Sequence, residues 1–298
     1  MKTFFDCIPC FVRQALDAAR RATDDEAIHE EVLRATLRAC AEMDMCTSPP
    51  AMGYTIHRFV RDRVGGGDPY RAMKDESNRL ALGLYPGLKA RVDESPNPLE
   101  TAVRLAIAGN IIDVAVKADV AEVNVDEAID HALSCPFDAD IGEFAAAVSQ
   151  AGSILYLADN AGEIVFDRLL IERLPLERVT LGVRGAPVIN DATRADAEAA
   201  GLTGLVDIID SGIDVPGTVL DLCSDAFRRR FYDAGLIIAK GQGNYETLSE
   251  ANQDIFFALK AKCPVIARDI GCAVGDLVLR RSNHVAAARG KGGQSAGV

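Results

Sequence analysis

The sequence predicts an α/β fold: a three-layer α/β/α core with a largely parallel Rossmann-like sheet, preceded by an N-terminal helical region. Three observations carry that expectation. Apolar residues recur at helical spacing up to about residue 150, short β-rich runs alternate with amphipathic stretches beyond it, and each of those runs ends in a polar cluster.

Helical spacing is plain in Phe11, Ala15, Ala18 and Ala19, and again in Val32, Leu33, Thr36, Leu37 and Cys40. Residues three and four apart share one face of a helix and form a stripe that needs burial. Pro49-Pro50, Gly65-Gly66-Gly67, Pro86-Gly87 and Ser95-Pro96-Asn97-Pro98 punctuate this part, because proline lacks an amide and glycine lacks a side chain. Residues 1–150 therefore read as a helical region or cap. The predicted strands are 153–158, 179–183, 205–209, 236–239 and 264–267. Runs apolar throughout suit strands covered on both faces, and intervening helices impose right-handed crossovers and a parallel sheet. Residues 151–288 read as an α/β metal-binding core, and the Gly/Ser-rich residues 289–298 as a flexible tail.

Composition narrows the function. Hydrophobic residues make up 49% of the 298, enough for a substantial core and against wholesale disorder. A net charge of −12 argues against nucleic acid as a partner, but leaves small anions open, since a bound divalent cation inverts the local field. No apolar run approaches the roughly 18 to 20 residues that span a bilayer, and Arg13, Asp17, Arg20 and Arg21 make the N-terminus unlike a signal peptide. No membrane association and a cytoplasmic location are the expectations. Eight cysteines without framework spacing suit reduced thiols.

In parallel sheets, functional groups collect at the carboxyl ends of the strands. The predicted strands run into Asp159-Asn160-Ala161-Gly162-Glu163, into Arg184-Gly185-Ala186-Pro187 followed by Asn190-Asp191, into Asp210-Ser211-Gly212, into Lys240-Gly241-Gln242-Gly243-Asn244, and into Arg268-Asp269. A hard divalent cation takes oxygen ligands, and Asp159, Asn160 and Asp191 supply such a set from two strand ends. Lys240 suits a phosphate, with Gly241, Gly243 and Asn244 letting backbone amides approach; Arg184 can clamp the same anion with a forked guanidinium. Taken singly, each pair is also an ordinary turn or cap: Asp191 can cap a following helix, and Asp210-Ser211-Gly212 reads as a turn. Charge beside small residues at four of five strand ends favours the functional reading.

Other candidates keep more than one reading. Asn110 and Asp113 share a helical face at i, i+3, as Lys74 and Asn78 do at i, i+4; both pairs suit either substrate contact or a tie between regions. Glu163 suits an outer-sphere group, a general base, or a carboxylate offsetting a helix dipole. Lys240–Asn244 lacks Walker and GxGxxG spacing, which excludes a nucleotide loop. His29, His57, His131 and His284 show no HxxxH spacing. Cys7-x-x-Cys10 suits an accessory metal half-site, a redox pair or structural thiols.

These residues resemble the DUF89 family of metal-dependent damage-control phosphatases, in its mainly prokaryotic branch, over nearly the whole chain. The matching stretches are 157–167, 240–246, 184–193, Gly109-Asn110-Ile111-Ile112-Asp113, Asp68-Pro69-Tyr70 with Lys74, and the Cys7-Ile8-Pro9-Cys10 pair that marks the branch. The resemblance implies a divalent metal (Mn²⁺, Co²⁺, Ni²⁺ or Mg²⁺) on Asp159, Asn160 and Asp191. It also implies hydrolysis of small phosphorylated metabolites such as sugar phosphates and damaged nucleotide- or cofactor-related phosphates. Asp159, Asn160, Asp191 and Lys240 are then the catalytic set; Arg184, Lys240, Gly241, Gly243, Asn244, Asn110 and Asp113 contact substrate. A non-catalytic phosphometabolite-binding protein and a carboxyl methyltransferase are the alternatives. Either a water or Asp159 is the nucleophile; the Asp-Asn order favours water.

Overall fold

The computed structural model describes residues 1–65, 68–112 and 124–282. Asp113 and the predicted tail at 289–298 lie outside the described residues.

Helices α1 (Cys7–Ala22), α2 (Glu26–Glu42) and α3 (Pro49–Val64) pack on one another around Phe11, Ala15, Ala18, Ala19, Val32, Ile56 and Val60. The three alanines on one face of α1 let the backbones approach closely. Pro49 opens α3 at its first turn, where a missing amide costs no hydrogen bond.

The strands are β1 (Phe137–Ala139), β2 (Ile154–Leu157), β3 (Val179–Val183), β4 (Asp207–Asp210), β5 (Leu236–Lys240), β6 (Ile255–Lys260) and β7 (Leu277–Arg281). They form one sheet in the order β1-β7-β6-β5-β2-β3-β4, parallel throughout except for the β6–β7 pair. Side chains alternate across it. Ile154, Tyr156, Val179, Leu181, Leu236, Ile238 and Phe256 face one core, shared with α4 (Arg71–Asp93), α5 (Pro98–Ala108), α6 (Val125–Ser134), α7 (Ile141–Gln150), α8 (Glu163–Ile171) and α9 (Arg194–Ala199). Leu155, Leu157, Ile237, Ala239, Ile255 and Phe257 face the other, with α10 (Asp225–Tyr232), α11 (Gly241–Leu248) and α12 (Pro264–Ile270). The architecture is therefore the expected α/β one, in three layers.

One expectation needs correction. Residues 264–267 are not a strand but the start of α12, with Pro264 in its first turn; a four-residue apolar run is too short to declare its period. The strand is β6 instead, so the polar residue beyond its carboxyl end is Lys262, while Arg268 and Asp269 are exposed helix positions. Within residues 1–150, β1 pairs with β7 and α4–α7 pack on a sheet face. No described helix is long and apolar enough to cross a membrane.

Candidate metal and phosphate site

After β2 the chain builds β3 and β4 on one side; after β5 it builds β6 and β7 on the other. Loops leaving β2 and β5 therefore diverge, and a crevice opens where the strand order reverses. The β2 loop carries Asp159-Asn160 and the β3 loop carries Asn190-Asp191. Backbone bonds lace the two together: Ala192 N donates to Asp159 O (2.8 Å) and Ala161 N to Asn190 O (2.8 Å), with Asn160 and Asp191 paired as an isolated bridge. Ile189, at φ 45°, folds the second loop back, a cost that non-glycine residues bear chiefly where surroundings over-determine the bend.

Asp159, Asn160 and Asp191 are buried together. Asn160 Nδ2 donates to Asp159 Oδ2 (2.9 Å) and to Glu163 Oε2 (3.0 Å). Its Oδ1 accepts no hydrogen bond among the described residues. Asp191 Oδ2 accepts from Arg184 Nε (2.7 Å). Gly241 is required at the start of α11: its φ is +79°, and a Cβ there would lie 1.9 Å from Asp159 Oδ2. Its role is thus to make room for the Asp159 carboxylate. Burial, then the neighbouring charges of Glu163 and Asp191, push the Asp159 carboxyl well above the ordinary range. Burial also raises Asp191, with Arg184 opposing.

Lys240 departs from the expected phosphate clamp. It is fully buried, and its Nζ donates to Ala106 O (2.8 Å), Glu163 Oε1 (2.8 Å) and Asp167 Oδ1 (2.5 Å), which uses all three donors. Burial pulls its pKa down, but Asp167 and Glu163 carry it above the ordinary lysine value. Burial likewise pushes Glu163 up, and Lys240 more than offsets it, leaving Glu163 below its usual value and poorly suited as a base. Arg184 is also engaged, through three of its five N–H groups: beyond Asp191 it donates to Thr218 Oγ1 (3.3 Å) and Asn244 Oδ1 (3.3 Å). Asn244 is fully buried, its Nδ2 donating to Lys240 O (2.8 Å) and Ala158 O (3.2 Å). Lys240 thus presents no free donor, while Arg184 links the Asp191 carboxylate to Thr218 and Asn244. A charged side chain beside a strand end looks the same in sequence whether it faces a ligand or a buried carboxylate.

Asn110 Nδ2 donates to Glu163 Oε2 (3.3 Å), so α5's end reaches the site. Lys74 and Asn78 on α4 meet Asp196, and Asn78 also meets the β2 loop. Lys262 was missed in sequence because its strand was misplaced. It is exposed, has no ion-pair partner among the described residues, and its charge reaches Asp159 and Glu163. It borders a cavity of about 590 Å³ walled by Phe11, Pro50, Pro216, Gln242 and Glu246. Cys7 and Cys10 also line that cavity, along with Cys263; burial raises the Cys7 thiol above its ordinary value.

Among the described residues, no group of three or more His, Cys, Asp or Glu side chains is placed to hold a metal ion. Cys7 and Cys10 thus have no further zinc ligands beside them among the described residues. The Asp159–Asn160–Asp191 set has only two carboxylates, with one amide oxygen. That donor set suits a hard divalent cation that keeps water or substrate oxygens in its other positions.

A family model described as the damage-control phosphatase ARMT1-like domain matches residues 3–278. The chain belongs to this damage-control phosphatase family. Damage-control phosphatases of Pyrococcus horikoshii and Archaeoglobus fulgidus are each 35% identical to it, the first over 95% of this chain and 99% of its own length, the second over 92% and 97%. An uncharacterized protein of Methanocaldococcus jannaschii is 34% identical over 92% of this chain and 93% of its own. The crystal structure of a DUF89 family protein from P. horikoshii superposes on this family member with a TM-score of 0.84, at 34% identity, covering 95% of this chain and 99% of that one.

Proposed function

We propose that the protein is a metal-dependent phosphomonoesterase that removes phosphate from small phosphorylated metabolites as a damage-control activity. The observation that carries this reading is the Asp159–Asn160–Asp191 oxygen set, two buried carboxylates facing a single guanidinium that reaches only one of them. The names of relatives 35% identical over nearly the whole chain support the same reaction. Asp159, Asn160 and Asp191 hold the divalent cation, whether Mn²⁺, Co²⁺, Ni²⁺ or Mg²⁺. When bound, such a cation neutralises charge on a phosphoryl group undergoing in-line displacement.

The chain's own residues do the rest. Asn160 Nδ2, pinned between Asp159 and Glu163, fixes the orientation of the amide whose Oδ1 would serve the cation. Arg184 fixes the Asp191 carboxylate. Lys240 neutralises Glu163 and Asp167 beneath the site and so keeps Glu163 available as the anchor for Asn160. The phosphate meets Lys262 and the first amides of α11, a helix N-terminus being favourable to anions. The cavity beside Lys262 takes the organic part; its size lies within the usual range for small-molecule sites. A cytoplasmic location belongs to the same reading, supported by eight free cysteines.

The test is a screen of sugar phosphates, nucleotides and cofactor fragments with each of the four metals and with chelator. Metal-stimulated phosphate release from some of them is expected. Binding without release points instead to a non-catalytic phosphometabolite-binding protein, and binding of S-adenosylmethionine to a methyltransferase.

A further inference from the structure

We infer that Asn78 and Asp196 are positioning residues that hold the two ligand loops at a fixed separation from outside the metal site, with Lys74 neutralising the join; this rests on the metal reading above. The β2 loop and the β3 loop each contribute ligands, and the electrostatics of two buried carboxylates tends to drive them apart. Helix α4 supplies the opposing tie. Asn78 Oδ1 accepts from Gly162 N (2.7 Å), two residues past Asn160. Asn78 Nδ2 donates to Asp196 Oδ1 (2.9 Å). Asp196 Oδ2 accepts from Thr193 N (2.8 Å) and Thr193 Oγ1 (2.6 Å), two residues past Asp191. Lys74 Nζ completes the set at 2.8 Å from Asp196 Oδ2.

Each tie point therefore lies two residues from a ligand, and the link between them runs through one side-chain amide. The amide accepts from Gly162 through its oxygen and donates to Asp196 through its nitrogen; an ionised carboxylate at position 78 would have no donor and would face Asp196 with like charge. The chain of bonds is dry, with Lys74 3%, Asn78 4% and Asp196 4% exposed, so water does not readily replace a lost partner. Gly162 sits directly on α4, since a Cβ there would come within 2.9 Å of Ser77 Cβ and 2.8 Å of Ile112 Cγ2. The helical region is thus part of the site's geometry as well as its cover.

The test uses the full chain: calorimetric titration with Mn²⁺, thermal unfolding in chelator, and amide hydrogen exchange of the metal-free protein. Asn78→Ala and Asp196→Ala should each weaken Mn²⁺ binding by about tenfold or more, in line with supporting residues around metal ligands. The double variant should lose far less than the product of the two. Exchange at the Gly162 and Thr193 amides should quicken in Asn78→Ala. Tyr85→Phe is the control: its hydroxyl ties α4 to Glu172 beyond α8 (2.7 Å) away from both loops, and it should lower Tm with Mn²⁺ affinity unchanged. Asp196→Asn, which keeps volume and the Oδ1 acceptor, carries the test where an alanine variant fails to fold, with a severalfold loss expected. A fall in Tm with unchanged Mn²⁺ affinity, or multiplicative losses in the double variant, overturns the inference. If the wild type binds no divalent cation, the metal reading falls, and unchanged amide exchange in Asn78→Ala then overturns the tie independently.

Discussion

Two charged clusters sit side by side at the carboxyl edge of this sheet, and they have the same inventory. One holds Glu163, Asp167 and Lys240; the other holds Asp159, Asp191 and Arg184. Each contains two buried carboxylates and one cation. In the first, a single ammonium contacts both carboxylates, at 2.8 Å and 2.5 Å, and Tyr156 donates to Asp167 as well (2.8 Å). In the second, the guanidinium reaches Asp191 alone, and among the described residues Asp159 accepts a side-chain hydrogen bond only from Asn160. Equal charge counts therefore give unequal neutralisation. Geometry, rather than composition, makes the first cluster a closed support and leaves the second short of positive charge: burial lifts Asp167 only to about 6 against the opposing charge of Lys240, whereas Asp159, buried beside Glu163 and Asp191, is pushed well above its ordinary range.

The largest effect that separates the clusters is catalytic. Asp159→Ala or Asp191→Ala should lower metal-stimulated turnover by about a thousandfold or more, roughly 4 kcal/mol. In chelator, Asp159→Ala should keep or exceed the wild-type Tm, because a crowded buried carboxyl has gone. Full turnover in both purified variants would remove the ligand assignment. The closed cluster should respond in the opposite sense. Lys240→Met strips two buried carboxylates of their cation and should destabilise the fold by about 3 to 5 kcal/mol, measured by urea unfolding. A variant as stable as wild type would show that Lys240 does not close the cluster.

A fifth carboxyl sharpens the rule at smaller scale. Glu246 lines the cavity and has one amide donor, Gln242 Nε2 at 2.9 Å, but no paired cation among the described residues; burial pushes it up to about 7 from an ordinary 4.5. The unfolded carboxyl ionises above 4.5, whereas the folded one keeps its proton until about 7. The folded state thus binds the extra proton, and stability falls as pH rises through that window. Glu246→Gln stays neutral throughout. It should match wild type at the acid end of that window and exceed it by about 1 to 2 kcal/mol at alkaline pH, because each tenfold change in proton affinity is worth about 1.4 kcal/mol and solvent relaxation at the cavity wall offsets part of it. A constant difference from wild type across an acid-to-alkaline unfolding series would reject the account.

Much of this was legible in the chain. Strands β3 and β5 stand where their apolar runs predict them, and β2 within one or two residues, since an apolar run bounded by turn residues has few other ways to be covered. Asp159, Asn160 and Asp191 are recognisable because acidic residues at strand ends collect at one edge whenever the sheet is parallel. The run at 264–267 was misread because four apolar residues fit a helix turn as well as a strand, and that shift hid Lys262 behind Arg268 and Asp269.

Sequence alone determined the α/β class and the edge on which the polar groups gather, Asp159, Asn160 and Asp191 among them, because these depend on periodicity and local composition. Only the tertiary structure decided which cation faces which carboxylate. Lys240 and Lys262 differ little as letters, yet one is spent on Glu163 and Asp167 and the other is left exposed beside the cavity. Asn78 and Asp196 likewise acquire their roles through distant contacts, meeting each other across 118 positions of chain, with Asn78 also reaching Gly162 across 84. Pairings of that kind are set by how layers pack, and a linear pattern carries no direct record of them.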